Sequence, residues 1–168
     1  GERPMNLNAL FAEQANVHIF AVKDLQTATS ATYVSMKNYE KCTFLVLKAI
    51  GTAGDDPTFT VTQATAVAGT SAKALNFTKI YTKRHASTLP GTWTLETQSA
   101  GNTWSSATNA EELSVIAIEF NADELDTDNG FDCVGIAVSD VGTNAQLGAV
   151  ACILWGSKTN PPLTYLTD

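Results

Sequence analysis

The chain has 168 residues, 44% of them apolar and only 16% charged, which is the length of one compact domain and too apolar for a disordered tail. Against 17 acidic residues stand 10 basic ones, giving a net charge of -7 and a pI near 4.7, a balance that disfavours a nucleic-acid backbone or an anionic membrane as the main partner. No apolar run approaches the roughly 18–20 residues that cross a bilayer.

In chain order, the opening residues Gly1 to Asn6 lack the basic-then-apolar layout expected of a signal peptide. Met5 reads as an encoded start behind a tag remnant, or the chain as processed. Residues 1–16 read as an N-terminal arm and 17–168 as a single domain. Within the arm, Leu7, Leu10 and Phe11 recur at i, i+3 and i+4, the apolar face of a short helix over Leu7–Gln14.

Beyond the arm the pattern is one of short β-favouring stretches separated by Gly, Asn, Asp, Ser and Pro clusters. The expected strands are His18–Lys23, Thr32–Lys37, Thr43–Ala49, Thr58–Gln63, Leu75–Thr82, Thr92–Thr97, Leu113–Asn121, Cys133–Ser139 and Ala149–Trp155. About nine strands in one domain suit an all-β, antiparallel two-sheet sandwich better than one open sheet.

Two of these segments alternate. Phe59 and Val61 share one face of the fourth, with Thr58, Thr60 and Thr62 on the other; Trp93 and Leu95 share one face of the sixth. Both read as half-exposed strands. Three others, over Thr43–Leu47, Val115–Ile118 and Ala149–Trp155, are almost continuously apolar and need cover on both faces: the opposing sheet on one, and a loop, a helix or a neighbouring subunit on the other. Small residues in the last strands (Cys133, Gly135, Ala137 and Gly148) allow a second layer to come close.

Cys42, Cys133 and Cys152 are odd in number, widely spaced and set in apolar segments, and read as buried free thiols of a reducing compartment. His18 and His85 lie in no nucleophile or general-base motif, and no phosphate-binding glycine loop is present. The reading is therefore non-enzymatic, with no cofactor. The acidic run Asp123–Asp132 is a minority candidate for Ca²⁺, through Asp126 and Asp128. Its spacing departs from the EF-hand loop, with glycine one residue late, and Asn129-Gly130 is also a hairpin signal. Among the aromatics Trp93, Trp104, Trp155, Tyr33, Tyr39, Tyr81 and Tyr165, which could form a sugar platform, Trp104 in its polar stretch is the expected surface aromatic. Lys79, Lys83, Arg84 and His85 form a basic strip, read as a solvated strand end.

Three stretches together carry a resemblance: Tyr33–Phe44, Ala68–Phe77, and Ala122–Asp126 leading to Phe131–Val134. They resemble a family of small virion proteins of tailed bacteriophages, over about Val17 to Trp155. The resemblance implies a capsid decoration, or cement, protein of jelly-roll fold. Such a protein assembles in the host cytoplasm and binds the major capsid protein on the outer head surface, often as a homo-trimer at local three-fold positions. It transfers no catalytic residues. Leu7, Leu10 and Phe11 are then the expected capsid-docking residues. The alternatives are another virion part, such as a head-fibre base or a tail protein, and, from a different class, a carbohydrate-binding module.

Overall fold

The computed structural model describes residues 11, 15–25, 29–85, 91–106, 112–139 and 142–158. Among them the strands are β1 (Ala15–Asp24), β2 (Thr29–Ser35), β3 (Lys41–Lys48), β4 (Thr58–Ala64), β5 (Lys73–Ala74), β6 (Phe77–His85), β7 (Trp93–Gly101), β8 (Thr103–Ser105), β9 (Leu113–Asn121), β10 (Cys133–Val138) and β11 (Leu147–Trp155).

All pairings are antiparallel, and they build two sheets. One has six strands in the order β1-β11-β3-β9-β6-β7; the other runs β2-β10-β4-β5, with β8 also paired to β4. The set β1-β11-β3-β9 facing β2-β10-β4-β5 is the double Greek key of a jelly roll, and the β6-β7 hairpin widens the first sheet beyond β9. The expected two-sheet sandwich is thus observed.

Strand parity explains the core. Phe59 and Val61 of β4, Val134 and Ile136 of β10, Phe44 and Val46 of β3, and Ile116 and Ile118 of β9 all point between the sheets and are fully or almost fully buried. Phe44 is central among the aromatics: its ring lies 5.9 Å from Phe20 and 6.2 Å from Phe120, and Phe120 meets Phe77 at 6.1 Å. Such offset and edge-on contacts add to the area the rings bury. Leu25 closes one end of the sandwich over Gly148, where a Cβ would sit 2.8 Å from the Leu25 side chain. Gly148 thus faces the core of the six-stranded sheet and does not share a surface with Gly135.

The three cysteines are free and buried. Burial first, and the neighbouring Cys42 second, raise the Cys152 thiol well above its ordinary range, which keeps it protonated and unreactive at neutral pH.

Between β9 and β10 the chain crosses from one sheet to the other, so Asn129-Gly130 is not a hairpin turn. It ends a short 3-10 turn, Thr127–Asn129, with Gly130 in the left-handed region at φ 80°. An earlier 3-10 turn, Ala122–Glu124, begins where the Asn121 backbone N–H donates to Glu124 Oε2 at 2.6 Å.

Candidate functional site

The outer faces of the two sheets differ in chemistry. On the five-stranded sheet, β4 turns Thr58, Thr60 and Thr62 outward, and the Tyr33 ring lies across Gly135, its hydroxyl 2.8 Å from Thr62 Oγ1. A Cβ on Gly135 would fall 2.4 Å from the Thr32 carbonyl oxygen and 3.0 Å from that ring, so glycine is required for this cover. Gly135 of β10 therefore receives a side chain of the same chain.

On the six-stranded sheet the register places apolar residues side by side across the strands. Leu47 pairs with Val115 and Ala149, and Leu45 with Ala117 and Ala151. Ile19 pairs with Ala151, and Tyr81 with Ala117 and Leu95, while Lys83 stands between Val115 and Trp93 in the adjoining row. These side chains alternate with the buried ones and so point away from the core. Ile19 is 60% exposed, Leu47 49%, Leu95 48% and Trp93 52%. Leu113 and Leu147 extend the same apolar surface at one end. With six strands about 4.8 Å apart and a depth of some five residues, this block has a flat footprint of about 400 Å², within the range of the largest apolar patch on a monomer and commonly functional.

The sixth expected strand thus alternates as read, but with its apolar side outward. Core-side positions of β7 carry Thr94, Glu96 and Gln98, paired with or close to Thr82, Ile80 and Phe77. Glu96 is held there by Thr82 Oγ1 at 2.8 Å and by Arg84 Nη2 at 3.0 Å.

At the other end of the same face lies a pocket of about 520 Å³. Trp155 and Tyr81 line it together with Thr43 and Glu119, and Lys41, Lys79, Asn121 and Glu124 are its further polar lining residues. Trp155 Nε1 donates to Thr43 Oγ1 at 3.1 Å, and Thr43 Oγ1 in turn donates to Glu119 Oε1 at 3.1 Å. Indole on β11 and carboxylate on β9 are thereby fixed across the intervening β3 before any ligand arrives.

Of the residues expected to dock, Leu7 and Leu10 lie outside the described residues. Phe11 is 51% exposed and packs edge-on against Trp155, ring centroids 5.6 Å apart, so Phe11 borders the Trp155 end of the six-stranded sheet. Trp104 is half-buried and stacked on Phe59 at 6.2 Å and 18°, packed against the core rather than free at the surface.

Asp126 and Asp128 are not brought together as a ligand set. The Asp126 carboxylate is taken by Lys73 and by Asn129 Nδ2, at 2.8 and 3.0 Å from its two oxygens, while Lys73 also lies 3.9 Å over the Phe131 ring. The Asp126 backbone N–H donates to Gln63 Oε1, which ties this turn to β4. Among the described residues no group of three or more His, Cys, Asp or Glu side chains is placed to hold a metal ion.

The hydrogen bond from Lys73, followed by that from Asn129, holds the Asp126 carboxyl below its ordinary value near 3.8. A carboxyl depressed in the folded state adds stability above its unfolded pKa, and this is lost as pH falls through the folded value. Between about pH 5 and about pH 3 the Asp126→Asn variant should lose less stability than the parent chain, read as the shift in urea midpoint; parallel losses would contradict the assignment.

Compared with known protein families, with characterised proteins and with solved structures, the chain shows no significant match.

Proposed function

We propose that the chain is a non-enzymatic structural protein of a tailed-phage head, bound to the outer capsid surface and stabilising the shell. The observation that supports it best is the outward apolar block on the six-stranded sheet, with Leu47, Val115, Leu95 and Trp93, broken by Lys83 between Val115 and Trp93. A standard interface buries about 800 Å² per partner, roughly twice the flat footprint of this block. The N-terminal segment, with Leu7, Leu10 and Phe11, supplies the remainder, because Phe11 already borders the Trp155 end of the same sheet.

The partner on this reading is the major capsid protein, and the docked state is a homo-trimer. Any ligand that binds one state of the shell more tightly than another shifts the shell towards that state, so stabilisation requires no chemistry. Contact made mainly by apolar side chains is screened little by salt, whereas contact through the excess of acidic residues would weaken as salt rises.

The test is co-sedimentation of the full chain with purified empty heads. The expected result is saturable binding at a fixed copy number that persists at high salt. Deletion of residues 1–14 should abolish it while leaving the β-sandwich circular-dichroism spectrum unchanged. Unchanged occupancy of the deletion variant would remove the N-terminal segment from the docking surface, and no binding to heads of any maturation state would remove the proposal.

A further inference from the structure

We propose that the pocket between Trp155 and Tyr81 is a binding site for a neutral saccharide, a further function of the chain before it docks, since the pocket lies on the same sheet face as the docking block. A sugar ring presents apolar C–H faces, which stack on aromatic rings, and a rim of hydroxyls that both donate and accept. The pocket offers both. Trp155 and Tyr81 supply the aromatic surface, and the rim carries acceptors on Glu119 and donors on Lys41 and Lys79.

Charge favours a neutral ligand. The two lysines are balanced by Glu119 and Glu124, so neither a phosphate nor a cationic side chain finds a net opposite charge. Size agrees as well: about 520 Å³ is within the usual range for small-ligand pockets and larger than one amino-acid side chain requires.

Pre-organisation is the third argument. The Trp155–Thr43–Glu119 hydrogen bonds fix the stacking surface and the carboxylate relative to each other, which reduces the ordering cost of binding. The Asn121 N–H to Glu124 contact holds the adjoining rim. The site adjoins the apolar block, with Tyr81 at their border, and its far end at Lys41 lies about 20 Å along β3 from Leu47 at the rise of an extended strand.

The experiment is an NMR titration of the full chain with glucose, galactose, N-acetylglucosamine and their β-linked disaccharides, following the Trp155 indole N–H, with a lysine-containing peptide as comparison. At least one sugar should shift the Trp155 signal in a saturable way. Tyr81→Ala should weaken that binding by about tenfold, and Glu119→Gln, which keeps the shape, should weaken it measurably. Trp104→Ala should leave it unchanged. The proposal is overturned if no sugar moves the Trp155 signal, if the peptide alone does so, or if the Tyr81 and Glu119 variants bind as the parent does. Head co-sedimentation of Glu119→Gln runs in parallel: it should be retained, so failure of sugar binding and failure of capsid docking are read separately.

Discussion

Replacing Leu47 and Val115 together by aspartate should abolish binding to phage heads while leaving the sandwich folded. The two residues are directly paired on β3 and β9, both point outward, and Leu47 is 49% exposed, so neither supports the packing between the sheets. The carboxylate at position 47 would have to be buried in any apolar contact with only Ala149 and the second carboxylate beside it; the one at 115 faces Lys83, and the two carboxylates repel each other across the strands. An affinity loss of about a hundredfold or more is expected from two central contacts. The circular-dichroism spectrum should be retained. A double variant that binds heads like the parent would place docking elsewhere.

The second large effect concerns the fold. Phe44→Ala removes the fully buried ring that contacts both Phe20 and Phe120 in the middle of the six-stranded sheet. Truncating a buried phenylalanine costs about 3–5 kcal/mol, because the cavity closes only in part. For a domain of this size that corresponds to a fall in Tm of roughly 6–20 °C. Differential scanning calorimetry measures it, and a shift of under a few degrees would show that this core tolerates a void.

The fold was largely legible because strand spacing and turn chemistry are local properties. Each of the nine expected strands has a counterpart in the jelly roll. The two further strands, Lys73–Ala74 and Thr103–Ser105, span two and three residues and carry no apolar alternation, so nothing local marks them; pairing with β4 alone defines them. The three nearly continuous apolar segments are neighbours in the six-stranded sheet, as β11, β3 and β9; their inward side chains meet the other sheet, while outward ones such as Leu47 and Leu147 are exposed among the described residues.

Orientation was less legible. Alternation groups Trp93 with Leu95 but does not say which face is inward, and at the sheet edge Arg84 and Thr82 stabilise an inward Glu96 well enough for the apolar side to face out. Trp104 sits in a polar stretch, yet pairing of β8 with β4 stacks it on Phe59. The pocket was the least legible feature. Its Trp155–Thr43–Glu119 chain joins positions 112 and 76 residues apart, and only the strand order β11-β3-β9 brings them together.

The central claim is that the outer face of the six-stranded sheet is the docking surface, and a cryo-EM map of heads carrying the chain tests it most directly. The account predicts that Leu47, Val115, Leu95 and Trp93 face the shell, with the Tyr33 and threonine face of the other sheet turned to solvent. A map in which Tyr33 and Thr60 contact the capsid, and Leu47 and Trp93 remain exposed, would contradict it.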